Sequence, residues 1–273
     1  MSLNENDKID TDRTEDKFIL SKEYYIEVKA EVRKYLKPHY PDPSTVYCIN
    51  RSLYFDSPDL TFLKQHLAGI GNRRKIRIRA YAPNGVWSDE AFIEVKYKDN
   101  DISKKNRLRV GPEAFQSLID HSIIPIDDQL FQYNSDLDKD EVQTKAKLIN
   151  YLLLINKCKP VVDILYKRYA YENDKGDERV TIDQDIKVKP IVIPKANVIQ
   201  DLKNQQLWDK FEECGGKFSN YDDFLMEVKY QKEMPEWVEE MTEHLDVEAE
   251  NFSKYVYAMW KIITTAESIK VGE

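Results

Sequence analysis

From Lys75 to Tyr81 the chain alternates without a break, Lys75-Ile76-Arg77-Ile78-Arg79-Ala80-Tyr81. Side chains of an extended strand point to opposite faces in turn, so this period of two predicts a strand with one basic and one apolar face. Residues 91–98 (AFIEVKYK) and 103–109 (SKKNRLR) follow, separated by the turn residues Pro83-Asn84-Gly85 and Asp99-Asn100-Asp101. Together they predict a three-strand antiparallel meander with one charged face. Strands are also predicted over 13–20 and 46–55, as a hairpin over 161–171 and 178–183, and over 186–193 and 224–230. Apolar residues at helical spacing (Tyr25, Val28, Val32, Tyr35, Leu36) predict a helix that begins after Ser21 and stops near Pro38. Further helices are expected from Ser57-Pro58-Asp59 to Gly69, over 112–121 and 141–157, from Pro235, and over 253–268. Residues 1–12 hold almost nothing to bury and are expected to be disordered, which leaves 13–273 as one domain.

Composition narrows the function. Of 273 residues, 41% are hydrophobic and 33% charged, and 49 acidic against 41 basic residues give a net charge of -8. A general nucleic-acid or anionic-membrane binder would carry a basic excess, so that class is excluded, although a local basic pocket is not. The three cysteines are far apart and form no CxxC pair, which argues against a zinc site and for a reducing compartment. The polar, acidic N-terminus has no signal-peptide core, and the apolar run from Leu148 is shorter than the roughly 18 residues of a membrane span. A cytoplasmic location is expected. Gly215-Gly216-Lys217 lacks P-loop spacing, Gly69-Ile70-Gly71 lacks the third glycine of a dinucleotide fold, and neither HExxH nor GxSxG is present. The four histidines are expected to be surface or structural; Cys158, Cys214, Trp237 and Trp260 are expected to pack.

The chemistry lies in the charged parity. Lys75, Arg77 and Arg79 share a face, as do Glu94 and Lys96, Arg13, Glu15 and Lys17, Arg179, Thr181 and Asp183, and Glu227 and Lys229. One such strand is an ordinary half-solvated strand. Five are different, because a solvated face mixes Thr, Ser, Gln and Lys, whereas these are rich in Arg and Lys with at most one carboxylate each. A sheet that curls into a barrel takes one parity inside. Cations confined there repel one another unless a polyanion lies between them, and interleaved carboxylates suit Mg²⁺ or Mn²⁺ bridging to phosphate. The pattern points to a phosphorylated ligand with several negative charges.

The set Arg13-x-Glu15-x-Lys17, Lys75-x-Arg77-x-Arg79, Glu94-x-Lys96, Lys105-x-Arg107, Tyr166-x-Arg168, Arg179-x-Thr181-x-Asp183, Glu227-x-Lys229 and Phe252-Ser253-Lys254-Tyr255 resembles the VTC domain. That is the polyphosphate polymerase domain of the vacuolar transporter chaperone, in the triphosphate tunnel metalloenzyme (CYTH-like) superfamily. Ser52-Leu53-Tyr54-Phe55-Asp56 resembles its SLYFD stretch, and the likeness runs from about residue 13 to 258. The resemblance implies an α+β fold, a closed antiparallel eight-stranded β tunnel with helices outside. It implies phosphate contacts and catalysis by Arg77, Arg79, Lys96, Arg168 and Lys254, with Lys17, Lys75, Lys105, Arg107, Arg179, Lys229 and Ser253 as further phosphate-binding residues. Glu227 would hold a divalent metal, Mn²⁺ or Mg²⁺, with Glu15, Glu94 and Asp183 as additional carboxylate candidates. Arg13 stands where triphosphatases of the superfamily have the first glutamate of ExExK, which favours the VTC branch.

The implied activity is ATP-dependent synthesis of inorganic polyphosphate. Hydrolysis of a small triphosphate in the same tunnel and non-catalytic binding of polyphosphate or nucleotide are the alternatives. The implied partners are ATP or another triphosphate and polyphosphate, not nucleic acid. With no SPX domain or membrane segment evident in this sequence, any translocation would require a separate membrane protein.

Overall fold

The computed structural model describes residues 13–99, 102–216 and 223–271. The disorder expected of residues 1–12, and Asn100 and Asp101 of the expected turn, lie outside the described residues. Eight long strands pair in the order β1 (Arg13–Leu20), β9 (Phe224–Gln231), β8 (Glu178–Pro190), β7 (Lys159–Glu172), β3 (Cys48–Asp56), β4 (Arg73–Pro83), β5 (Ala91–Asp99) and β6 (Ile102–Val110). The two-residue β2 (Lys37–Pro38) joins β7 from the side, and every pairing is antiparallel.

The expected closed tunnel of eight strands is therefore corrected. Among the described residues the sheet has nine strands and is open, since β1 and β6 are its two ends and do not pair with each other. At each edge one residue finds another partner. Asn134, just after α4 (Asp128–Tyr133), accepts from the Arg109 N–H of β6 at 2.8 Å and donates to the Arg109 carbonyl at 2.9 Å. At the other edge the Glu250 N–H donates to the Lys17 carbonyl of β1 at 2.7 Å. Edge groups satisfied in this way have no need of the opposite strand.

Period-two alternation divides the two faces of the sheet. Ile76, Ile78, Ile93, Val95 and Leu108 bury their apolar parity with residues of α3 (Pro112–His121), α4 and α5 (Lys139–Ile155). Phe18, Leu20, Val180, Ile182, Met226 and Val228 do the same with α1 (Tyr25–Tyr35) and α8 (Glu236–His244). Helices thus cover the convex, apolar face and leave the charged parity to the concave one. A third cluster fills one end of the concave side. There α9 (Lys254–Val271) packs Tyr255, Val256 and Met259 with Tyr54, Ile164 and Leu225, backed by α2 (Thr61–Leu67), α6 (Ala196–Asn204) and α7 (Trp208–Gly215).

Other departures have simple causes. The strands expected at 178–183 and 186–193 are one strand, β8, carried past a bulge where Asp185 takes φ 53°. α2 begins at Thr61 because Asp56 accepts from the Phe62 and Leu63 N–H groups. The short α4, α6 and α7 were not signalled by spacing, since six to nine residues show too few repeats of a 3.6-residue period. Cys158 and Trp237 are buried and Cys214 and Trp260 pack against the core, as expected. Among the described residues no helix is long and apolar enough to cross a membrane.

Asn134→Ala is expected to strand the Arg109 N–H and carbonyl and to destabilise the fold by about 2 kcal/mol. Urea denaturation should show a lower midpoint with an unchanged m-value.

Candidate functional site

Three rows of side chains cross the meander on its concave face. Register sets Lys75, Lys96 and Lys105 abreast, then Arg77, Glu94 and Arg107, then Arg79, Phe92 and Arg109. The Arg107 guanidinium lies 3.6 Å over the Phe92 ring. The opposite half of the sheet contributes Arg168 on β7, Arg179 and Asp183 on β8, Glu227 and Lys229 on β9, and Glu15 and Lys17 on β1. Ser253 and Lys254 enter at the start of α9. The two halves face each other. Four strands separate β1 from β4 in the sheet, yet Lys17 acts electrostatically on Lys75, and Lys229 and Glu15 act on Lys96. The strap from Glu250 to Ser253 spans the gap at one end, bonded to Lys17 on one side and accepting the Lys75 ammonium on Ser253 Oγ at 2.9 Å on the other.

Each carboxylate is tied to cations. Glu94, 2% exposed, receives Arg77 Nε and Nη2 at 2.8 Å, Arg107 Nε at 3.5 Å and Lys105 Nζ at 3.8 Å. Burial alone would raise its pKa, but Arg77, Arg79, Lys105 and Arg107 hold the carboxyl well below the usual range. Arg168 forms a bidentate pair with Asp183, both contacts at 2.6 Å, and reaches Glu227 at 3.2 Å. Lys254 Nζ bridges the same two acids at 2.7 and 2.9 Å. Despite its burial, Glu227 is kept ionised by Lys254 and Arg168. Glu15 lies 2.8 Å from Lys17 and 3.1 Å from Lys229; burial opposes its ionisation, but these lysines bring it to about 2. Arg179 stands opposite Lys229 in the β8–β9 register.

The predicted set holds eleven cations and four carboxylates, so a chain of net charge -8 concentrates positive charge here. Lys75 and Lys96 show the cost. Burial first, then Lys17 and Lys96, bring Lys75 from 10.5 down to about 7. Burial first, then Arg77 and Lys229, do the same to Lys96, although its side chain retains solvent-exposed surface along the open trough.

Arg79 Nε is buried without a hydrogen-bond partner, and so are Ser52 Oγ and Asn50 Oδ1 on the neighbouring strand β3. The Tyr166 hydroxyl, also buried, accepts from Asn50 Nδ2 at 3.5 Å. Burial would raise this phenol, yet Arg79 and Arg168 bring it below its ordinary value. The Arg79 Nε–H and the Ser52 hydroxyl are donors that an anionic oxygen would satisfy, whereas Asn50 Oδ1 is an acceptor and needs a donor instead. Charge alternation missed Asn50, Ser52 and Tyr54 because the concave face of β3 is neutral, and its sole signal is polar residues at alternate positions. Tyr54 belongs to the site because its hydroxyl accepts from Arg77 Nη1 at 3.2 Å. His66, expected at the surface or in a structural role, has a buried Nδ1 without a partner. Burial, then Lys75 and Arg73, push its imidazole down to about 3.

Among the described residues no group of three or more His, Cys, Asp or Glu gathers into a ready metal cage. Asp183 and Glu227 converge on the same Arg168 and Lys254, so two hard-oxygen groups lie side by side. That donor set fits Mg²⁺ or Mn²⁺, ions that take one or two carboxylates and complete their shell with phosphate and water. Glu94 belongs to the other half of the sheet; its oxygens, like those of Asp183 and Glu227, all face Arg or Lys, so a metal at either place would displace a bound cation.

A lysine whose folded pKa lies below its unfolded value binds fewer protons in the folded chain across that interval. The destabilising effect of Lys75 is therefore complete below about pH 7 and is relieved as pH rises from there toward 10.5. Lys75→Met is expected to raise the urea midpoint at about pH 6.5 and to raise it less at about pH 9; equal gains at both would contradict the shift.

A family model, VTC domain, matches residues 12–263. Among solved structures, a "putative adenylate cyclase" from Bacillus halodurans shares 10% identity at a TM-score of 0.46, covering 88% of this chain and 92% of that one. A second protein so described, from Vibrio parahaemolyticus, shares 11% at 0.40, covering 90% and 97%. A conserved hypothetical protein from Pyrococcus furiosus also shares 11% at 0.40, covering 92% and 99%. The match over nearly the whole chain, on a sheet whose cations converge on one concave face, makes this protein a member of the VTC domain family.

Proposed function

We propose that the trough binds a triphosphate or polyphosphate and transfers its phosphoryl groups, with ATP as donor and a growing inorganic polyphosphate chain as acceptor. The observation that carries this reading is the crowding of cations itself: three lysines abreast on adjacent strands, beside an Arg79 with an unpartnered buried Nε. The membership in the VTC family supports the choice of polymerisation.

Phosphoryl transfer asks little covalent chemistry of a protein; it needs in-line positioning and neutralisation of spreading charge. The guanidiniums meet the first need before any ligand arrives. Glu94 and Tyr54 orient Arg77, and Asp183 orients Arg168 through both its oxygens. A planar fork held this way presents its remaining N–H groups to phosphate oxygens in a fixed direction. Lys75 and Lys96 meet the second need, since an anion between them raises their pKa values and favours protonation of both amines to ammonium. A divalent metal, if held by Glu227 and Asp183, would supply further charge neutralisation. The α9 end of the trough, filled by Tyr255, Val256 and Met259, keeps water from that side.

The test is incubation of purified protein with ATP and Mn²⁺, resolving polymer on a gel and free orthophosphate by assay. Polymer is expected, and Arg79→Ala should reduce its rate by roughly 10²- to 10³-fold, the loss typical of one charge-stabilising donor. Unimpaired rates in both Arg79→Ala and Glu227→Gln would remove the site assignment. Orthophosphate from tripolyphosphate with no polymer from ATP would select hydrolysis instead, and tight binding without turnover in any divalent metal a binding module.

A further inference from the structure

Asp56 ends β3 with 1% of its surface exposed, yet five donors converge on it, among them the Ser57 hydroxyl at 3.3 Å from Oδ1. Its Oδ1 accepts from the Ser57 N–H at 2.7 Å and the Phe62 N–H at 2.9 Å. Its Oδ2 accepts from the Leu63 N–H at 3.0 Å and from the Tyr255 hydroxyl at 2.5 Å. One carboxylate therefore joins the end of a sheet strand, the start of α2 and the first turn of α9. The backbone donors anchor Asp56 to its own neighbourhood; the Tyr255 bond reaches 199 residues along the chain.

Tyr255 lies between the two halves of the trough. Lys254, the residue before it, bridges Asp183 and Glu227 on β8 and β9. Its ring stacks on Tyr54, with centroids 5.0 Å apart and planes 14° apart. The hydroxyl of Tyr54 in turn accepts from Arg77 on β4. Helix packing alone would hold α9 against the sheet, but apolar contacts are non-directional and leave a helix free to rotate or slide by a fraction of a turn. A single short hydrogen bond to an immobile acceptor removes that freedom.

We infer that the Asp56–Tyr255 hydrogen bond is a positioning contact, which sets the rotation of the first turn of α9 so that Ser253 and Lys254 project into the trough, and which steadies Arg77 through Tyr54. Asp56 and Tyr255 touch no ligand in this scheme and act only through their neighbours. Its consequence for phosphate binding rests on the function proposed above; the positioning itself can be read on the ligand-free protein.

The test is lysine labelling with acetic anhydride, which reports reagent access to each side chain, read by peptide mass spectrometry. Lys254, enclosed between Asp183 and Glu227 at 2.7 and 2.9 Å, should label slowly in the parent protein. Tyr255→Phe keeps the ring and its stack and removes one donor. It is expected to raise Lys254 labelling about tenfold relative to exposed Lys147, the equilibrium weight of one hydrogen bond to a charged group. Buried Lys145 should not change, which separates local release from unfolding. Asp56→Asn, which keeps the volume and one acceptor, should give a smaller rise in the same residue. Unchanged Lys254 labelling in folded Tyr255→Phe overturns the inference, as does a rise shared equally by Lys145. In the same samples the affinity for inorganic tripolyphosphate should fall about three- to tenfold. Faster labelling with unchanged tripolyphosphate affinity would leave the positioning standing and remove Lys254 from the phosphate site.

Discussion

Like charges set abreast on a pleated surface repel, and in this protein the repulsion is built in rather than avoided. Lys75, Lys96 and Lys105 oppose one another on three adjacent strands, a placement that cross-strand pairing disfavours. Relief could come from splaying the strands outward, but the apolar parity of the same strands is committed to helices on the convex side. Turning the sheet over would expose Ile76, Ile78, Ile93 and Val95 to water, a far larger loss than the repulsion. The hydrophobic face therefore dictates where the cations go, and a polyanion is the counterpart that their confinement calls for.

Within the trough the carboxylates divide the work. Glu94 serves the meander half, binding Arg77 and drawing in Arg107 and Lys105. Asp183 and Glu227 serve the other half, sharing Arg168 and Lys254. Each arginine is thereby oriented by an acid that leaves part of its fork available. A buried pair of this kind does little for net stability, because desolvation offsets the Coulomb attraction. What it contributes is direction. The openness of the sheet matters here too: the strap from Glu250 to Ser253, rather than a β1–β6 ladder, brings Lys254 to the acids and Ser253 to Lys75.

The strands that carry charge were legible because their period is strict. Arg77 and Arg79, or Glu227 and Lys229, announce a face two residues at a time, and the meander, the β7–β8 hairpin and β9 fall where alternation places them. β3 shows the limit. Asn50, Ser52 and Tyr54 sit beside Arg79 and Arg77 in register, but neutral side chains on alternate positions read the same on an exposed strand as on a buried one. The helices α4, α6 and α7 escaped notice for a different reason, since a helix of two turns is specified by what it packs on more than by its own spacing.

By itself the sequence determined the secondary period of each segment, the chemistry of each face, and the family to which that combination belongs. Those are properties of neighbours within a few residues, governed by backbone geometry and solvent preference. Only the tertiary structure decided that the sheet stays open, that Asn134 and Glu250 take the edges, and that Asp56 reaches Tyr255. Each of these joins residues far apart in the chain, where the preference of either partner alone is satisfied equally well by water. The choice is made when the apolar faces are buried and leave those groups with one another.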